Sequence, residues 1–215
     1  MTDVHIILAA PKQTAIKPLI QSEGFVIGVD GGASVAWEED ITLDLALGDF
    51  DSIEQSKDGV IKKQVREVLT FPSEKDDTDA ELALLYVMEN LEAENIYLYN
   101  WSGGRQDHLY SLFMLVLQKR FESLIPKLQF ISENNRIAYY LPGEYQLNKE
   151  ESMDYLSFIL LTQVSQLTIE EVKYSIEKKS YQEPRALISN QFLTDIAYFS
   201  FEHGIIAVIQ SRDHQ

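Results

Sequence analysis

Residues 25–32 read Phe-Val-Ile-Gly-Val-Asp-Gly-Gly, and residues 43–52 read Leu-Asp-Leu-Ala-Leu-Gly-Asp-Phe-Asp-Ser. Each is a short apolar run that stops abruptly on glycine and aspartate, the form of a buried strand followed by a turn. The first half of the chain repeats this form. Val4–Leu8, Phe25–Val29, Leu45–Leu47, Val68–Thr70, Ile96–Tyr99 and Leu128–Ile131 all read as strands. Between the fourth and fifth, Leu82, Leu85, Tyr86 and Glu89 recur at helical spacing from Asp79 to Leu91. After the fifth, Leu109, Leu112, Phe113 and Val116 form an i, i+3, i+4, i+7 stripe. The segment holding Pro11 and Pro18 reads as a loop with a short helix. Strands alternating with helices in this way predict an α/β domain with a mainly parallel sheet, Rossmann-like in build.

The pattern changes near Leu141-Pro142-Gly143. Beyond it the chain offers short strand-like runs, namely Tyr155–Leu161, Gln166–Ile169, Val172–Ile176, Arg185–Phe192, Ile196–Phe201 and Ile205–Gln210. Glu202-His203-Gly204 marks a turn between the last two. About 70 such residues predict a small all-β sandwich. The expected domains are therefore residues 1–142, α/β and catalytic, and residues 143–215, all-β.

Composition narrows the function. The chain has 215 residues, 45% hydrophobic and 24% charged, without a stretch of apolar residues long enough to span a membrane. Its N-terminus lacks the basic region and apolar core of a secretory signal. It contains no cysteine, so disulfides and thiolate metal sites are excluded, which fits a reducing compartment and a cytoplasmic location. The four histidines show no metal-ligand spacing. A formal net charge of −16 makes nucleic acid an unfavourable partner. It still permits a nucleotide, because acidic residues that hold Mg²⁺ allow phosphate charge to be neutralised locally.

Four polar clusters sit just past predicted strands: Asp30-Gly31-Gly32, Gly48-Asp49-Phe50-Asp51-Ser52, Lys75-Asp76-Asp77-Thr78-Asp79 and Gly103-Gly104-Arg105-Gln106-Asp107-His108. In an open α/β sheet the carboxyl ends of the strands converge on one ligand crevice. Each cluster also has a bland reading. Asp and Ser suit turns, and acids in a first helical turn stabilise a helix start, with Asp76 and Asp79 at capping-box spacing. Three aspartates within four positions nevertheless exceed what capping needs, since like charges repel unless a cation lies between them. Alternate residues at a strand end point the same way, which aims Asp49 and Asp51 at one Mg²⁺. Gly103-Gly104 before a helix start presents free N–H groups to an anion, and Arg105 brings a guanidinium fork for phosphate. Together the clusters indicate metal-assisted chemistry on a polyphosphate.

In order and spacing, GVDGGA, GDFDS, KDDTD and GGRQDH resemble the thiamine pyrophosphokinase (thiamine diphosphokinase) family. The resemblance spans roughly residues 28–110 and extends more loosely through Val172-Lys173-Tyr174, Ser189-Asn190 and the final Gly204 to Asp213 run. It implies an N-terminal nucleotide-binding domain, a C-terminal sandwich, and a homodimer whose active sites lie between subunits. It also implies transfer of a diphosphate group from ATP to thiamine, giving thiamine diphosphate and AMP. On that resemblance Asp49, Asp51 and Asp79 hold Mg²⁺, with Asp30 and Asp76 in the same acidic cluster. Lys75, Arg105 and Asp107 engage the phosphates. Gly31, Gly32, Ser52, Gly103, Gly104 and His108 line the nucleotide, and Ser189 and Asn190 help bind thiamine. Glu171 and Ser175 depart from the family pattern, which often has Gly and Pro around the Lys-Tyr pair. Tyr174, Tyr181 and Phe192 are the candidates to stack on the thiamine ring. Three rivals remain at this point: diphosphate transfer to another small alcohol such as a pterin, a Mg²⁺-dependent phosphohydrolase, and a non-catalytic sensor of nucleotide or thiamine.

Overall fold

The computed structural model describes residues 1–11, 14–49, 65–72, 74 and 76–213. Of the candidate site residues, Asp51, Ser52 and Lys75 lie outside the described residues. The chain divides into two compact units, residues 1–133 and 134–215.

Among the described residues the first unit is a six-stranded sheet with three α-helices. Its strands are β1 (Thr2–Ile7), β2 (Gly24–Val29), β3 (Leu45–Gly48), β4 (Glu67–Thr70), β5 (Ala93–Tyr99) and β6 (Leu128–Ile131). They lie in the order β6-β5-β1-β2-β3-β4, every neighbouring pair parallel. From β1 the chain builds outward through β2, β3 and β4 on one side, then returns to place β5 and β6 on the other. Val4, Ile6, Ile7, Ile27, Leu45, Leu47, Ile96 and Leu98 are buried, so the central strands read as continuous apolar runs because both faces are covered. Short 3-10 segments cover Lys17–Leu19, Leu115–Leu117 and Lys119–Lys127.

The helices are α1 (Gly32–Glu38), α2 (Asp79–Asn90) and α3 (Gln106–Met114). Helix α1, where the sequence suggested only a turn, packs Ala33 and Ala36 into a core with Ile7, Leu43, Ala46 and Tyr99. In α2 the buried face is Ala83, Leu84 and Val87, not the Leu82, Leu85, Tyr86 and Glu89 stripe expected from spacing. Ala83 lets the helix approach closely, Leu84 and Val87 fill the contact, and the half-buried Leu82, Leu85 and Tyr86 rim it. Helix α3 is shorter than its stripe: Val116 is buried, but from a 3-10 turn beyond the helix end.

The second unit contains β7 (Asn135–Tyr140), β8 (Gly143–Asn148), β9 (Tyr155–Leu160), β10 (Val164–Glu170), β11 (Ile176–Tyr181), β12 (Arg185–Asn190), β13 (Ile196–Phe201) and β14 (Ile206–Ser211). Antiparallel pairing gives two sets, β12-β9-β14-β7 and β11-β10-β13-β8. Leu156, Phe158 and Val208 of the first set share one core with Leu167, Ile169, Phe199 and Phe201 of the second. Phe158 meets Phe199 edge-on at 5.3 Å between ring centres. Antiparallel structure begins at Asn135, ahead of the expected change at Leu141, because Ile137 and Tyr139 of β7 are already buried against β14. Val172–Ile176 is not a strand: only Val172 forms a bridge, to Phe192, and β11 begins at Ile176.

Candidate active site

The strand order of the first unit reverses between β1 and β5, and the loop Leu8–Pro11 leaves the sheet at that point. Asn100, with φ +53, ties the two strand exits together. Its amide donates to the carbonyls of Leu8 and Ala10, the former at 2.9 Å, while Leu8 N–H donates to Tyr99 O at 3.0 Å. Two glycine turns close on this loop. A Cβ placed on Gly32 would stand 2.0 Å from Ile7 O, so no other residue fits where α1 starts over the β1 exit. Gly104 lies against Pro11 on the approach to α3. The starts of α1 and α3 therefore flank one strand exit, with Ala33 N–H already donating to Asp30 O and Ser34 N–H to Gly31 O, both at 3.0 Å, and His108 N–H to the Asp107 carboxylate at 3.1 Å. The sequence flagged both glycine pairs. Asn100 carried no signal beyond its place after a strand.

The first acids sit on neighbouring strands. Asp30 has φ +48, a left-handed conformation that aspartate tolerates, and donates its N–H to Leu47 O at 2.7 Å. A Cβ on Gly48, itself at φ +152, would be 3.0 Å from Asp30 Cα. The exits of β2 and β3 thus pack directly together, placing Asp30 beside the Gly48-Asp49 turn. Phe71 N–H donates to Gly48 O at 3.1 Å and brings the β4 exit alongside. One Asp30 carboxylate oxygen is shielded from solvent.

The third cluster opens α2, and its cap differs from the one suggested by spacing. Thr78, not Asp76, is the N-cap. Its hydroxyl accepts from Glu81 N–H at 3.3 Å, and the Glu81 carboxylate accepts from Thr78 N–H at 2.8 Å. Glu81 is almost fully buried, and Gln118 and Arg120 also donate to it, at 2.6 and 2.9 Å. Burial opposes its ionisation, but bonds from Gln118 and Thr78 and the Arg120 charge together hold it below the ordinary carboxylate value. Arg120 reaches Asp77 as well, at 2.7 Å. Asp77 is thereby committed to Arg120, while Asp79 occupies the first helical position and Asp76 is exposed.

Arg105 and Asp107 form an exposed two-pronged pair at the start of α3: Nε donates to Oδ1 at 3.1 Å and Nη2 to Oδ2. Asp107 also accepts His108 N–H at 3.1 Å. The Arg105 hydrogen bond, foremost, holds the Asp107 carboxyl below its usual value. His108 is exposed on the helix. Asp107 thus holds the Arg105 guanidinium by its Nε–Nη2 edge.

In the second unit, Ser189 is exposed at the end of β12, with φ +59, and Asn190 is buried behind it. Of the three aromatic candidates, Tyr181 belongs to the core and Phe192 packs against it, whereas Tyr174 is 59% exposed.

The donors present in the first unit are hard carboxylate oxygens from Asp30, Asp49, Asp76 and Asp79, the ligand chemistry that suits Mg²⁺. Among the described residues no three His, Asp or Glu side chains already converge as a metal cage. The proposed metal set includes Asp51, outside the described residues. Mg²⁺ bound chiefly through one or two carboxylates, water and substrate phosphates does not require a ready-made cage.

The strand exits of the parallel sheet thus carry glycine-flanked helix starts, the neighbouring acids Asp30 and Asp49, and the paired Arg105. The family model described as "Thiamin pyrophosphokinase, catalytic domain" matches residues 16–125, and that described as "Thiamin pyrophosphokinase, vitamin B1 binding domain" matches residues 144–206. A thiamine pyrophosphokinase of Bacillus subtilis is 31% identical, over 99% of this chain and 100% of its own. A thiamin pyrophosphokinase family protein from Enterococcus faecalis has a crystal structure that superposes with a TM-score of 0.89. It is 31% identical and covered over 99% of this chain and all of that one. The crystal structure of the Bacillus subtilis enzyme gives 0.87 at 29% identity, over 99% and 100%. The chain belongs to the thiamin pyrophosphokinase family. It is an enzyme that forms thiamine diphosphate with ATP as co-substrate. Among the described residues no helix is long and apolar enough to cross a membrane.

Proposed function

We propose that the first unit binds ATP in a Rossmann-like manner at its strand exits, holds Mg²⁺ there, and passes a diphosphate group to thiamine held by the β-sandwich of the second unit. The roles follow the expected domains, 1–142 for the nucleotide and 143–215 for thiamine, and the reading is supported by the two family matches. Asp49, Asp51 and Asp79 would hold the metal, with Asp30 and Asp76 shaping the same acidic edge. When bound, Mg²⁺ supplies charge neutralisation of the phosphate oxygens. Gly31, Gly32, Gly103 and Gly104 allow the backbone to approach the polyphosphate, with Ser52 and His108 beside it. Lys75 and Arg105 bind its oxygens, and Asp107 keeps the Arg105 fork oriented. Ser189 and Asn190 form the thiamine element.

In the reaction the thiamine hydroxyl oxygen bonds to the β-phosphorus of ATP, the bond from that phosphorus to the α–β bridging oxygen breaks, and AMP departs with that oxygen. The hydroxyl proton passes to one of the acidic-edge carboxylates. Most of the protein's contribution is positioning and charge complementarity, as in other transfers of phosphoryl type. A cationic acceptor is also drawn to an acidic edge on a chain of net charge −16. The enzyme works as a homodimer with active sites between subunits, in the cytoplasm, where ATP is available.

The observation that carries this reading is the direct packing of the β2 and β3 exits, which sets Asp30 beside Gly48-Asp49. Incubation of the purified protein with ATP, Mg²⁺ and thiamine, followed by mass spectrometry, should give AMP and thiamine diphosphate in equal amounts. Chelation of the metal should abolish both. Release of ADP or inorganic phosphate in place of AMP would discard it.

A further inference from the structure

Arg120 commits all three of its guanidinium nitrogens to neighbours in the first unit. Nε donates to Gln118 Oε1 at 2.8 Å, Nη1 pairs with Asp77 Oδ1 at 2.7 Å, and Nη2 donates to Glu81 Oε1 at 2.9 Å. The fork lies over the buried Phe121 ring, with Cζ 4.7 Å from the ring centre. Gln118 is itself fixed: its amide donates to Glu81 Oε1 at 2.6 Å, and its backbone carbonyl accepts Phe121 N–H at 2.9 Å. A lysine in that place would bring a point charge in place of a planar fork, and could not reproduce the three directions.

The two acids gripped by Arg120 stand two residues either side of Asp79. Asp77 precedes the cap residue Thr78. Glu81 closes the cap by accepting both the N–H and the hydroxyl of Thr78, at 2.8 and 2.9 Å. One guanidinium from a separate 3-10 segment thus holds, from both flanks, the turn on which Asp79 opens α2. Charge is sorted as well. Asp76, Asp77, Asp79 and Glu81 put four carboxylates in six positions, and close like charges oppose one another's ionisation unless a cation intervenes. Arg120 supplies a fixed positive charge to Asp77 and Glu81, which separates them from the acids assigned to the metal.

We propose that Arg120 is a positioning residue for the metal edge: it fixes the α2 turn that carries Asp79 and reserves Asp77 and Glu81 as structural acids. This rests on the metal role proposed above for Asp79. Arg120 then serves the donor side of the reaction without touching MgATP.

Arg120→Lys tests the proposal by kinetics, calorimetry and thermal unfolding of the full chain. Turnover should fall by about 10- to 10²-fold, the scale for a reacting group displaced by an ångström or less. The Mg²⁺ concentration for half-maximal turnover should rise about tenfold, the size of one weakened bond to a charged group. Calorimetric titration with MgATP in the absence of thiamine should show Kd about tenfold higher for the same reason. KM for thiamine should stay within about twofold of wild type, a split that general loosening of the fold would not give. Asp77→Asn keeps an acceptor for Nη1 and drops the charge. It should leave turnover within about twofold, since a half-exposed ion pair contributes little by itself. Arg120→Lys with turnover and MgATP affinity both within about twofold of wild type would overturn the proposal. Equal weakening toward thiamine and MgATP would overturn it too, by assigning Arg120 to structure alone. So would an Asp77→Asn variant as inactive as Asp79→Asn, because Asp77 would then belong to the reaction; that half-exposed position decides the matter if Arg120→Lys does not fold. Normal turnover and Mg²⁺ dependence in Asp79→Asn would instead bring down the metal reading, and the proposal with it.

Discussion

The two ends of the parallel sheet in the first unit each carry a polar cluster built around aspartate, and they are arranged in opposite ways. At the amino end, Asp3 accepts from Ser22 at 2.6 Å and from Asn95 at 2.9 Å, and the fully buried His5 bonds the Tyr99 hydroxyl at 3.1 Å and stacks on Tyr97. One acid there is matched by several neutral donors. At the carboxyl end, acids from separate strand exits are set side by side, joined by helix starts and an arginine at the surface. Neutral donors around a single acid make a structural joint. Like charges brought together from different segments cost energy that a nearby cation would relieve, in keeping with the metal role proposed for this end.

Substitutions at the two ends should therefore fail differently. The largest effect is expected at the carboxyl end. Asp79→Asn or Asp49→Asn should lower turnover by at least about 10²-fold, the usual loss on removing an electrostatic stabiliser, with thermal unfolding little changed. Near-normal turnover in folded Asp79→Asn would remove the contrast between the ends.

The amino end should show the reverse. His5→Leu should lower stability by about 1–3 kcal/mol through the lost bond to Tyr99, while activity per folded molecule stays near wild type. Burial, opposed by the Asp3 charge, pushes the His5 imidazole below its ordinary value of 6.5. The folded protein thus holds it neutral, and the unfolded chain takes up the proton first as pH falls. The stability it contributes is complete above about 6.5 and declines as pH drops below that value toward the depressed folded one. Denaturant unfolding followed between about pH 7.5 and 5 should show that decline in wild type and less of it in His5→Leu.

The smallest effect sharpens the comparison within the carboxyl end. Arg105→Lys keeps the charge but loses the fork, so KM for ATP should rise by about tenfold with little change in thiamine binding. Calorimetric titration with each substrate separates the two. Equal weakening on both sides would assign Arg105 to structure.

The central strands of the first unit were legible because strands covered on both faces are written as unbroken apolar runs. Helix α1 was not, since seven residues whose buried face is Gly32, Ala33 and Ala36 carry little apolar bulk to mark a period. The same cause turned the reading of α2: Ala83 is a core residue and Tyr86 a rim residue, whereas bulk alone suggests the opposite. In the second unit, β8 buries only Leu147 and left almost no pattern. The clusters of the candidate site were legible in position, because glycine and acid after a strand are visible locally. Their partners were not. Arg120 takes up Asp77 from 43 residues away, and Asn190 holds Tyr174 from 16 residues away. Such pairs are set by tertiary packing, which local spacing does not encode.

Gly32 has a further consequence for anyone mapping this enzyme by genetics. Because a single added methyl group would press into the Ile7 carbonyl, nearly every substitution there should score as loss of function in a growth selection, indistinguishable from a lesion at Asp79. The two are separable by abundance: Gly32 variants should vanish from the soluble fraction, while Asp79 variants accumulate as intact but idle protein. A tolerance map of this chain read without that second measurement would credit Gly32 to the reaction alone, when the packing against Ile7 already forbids its replacement.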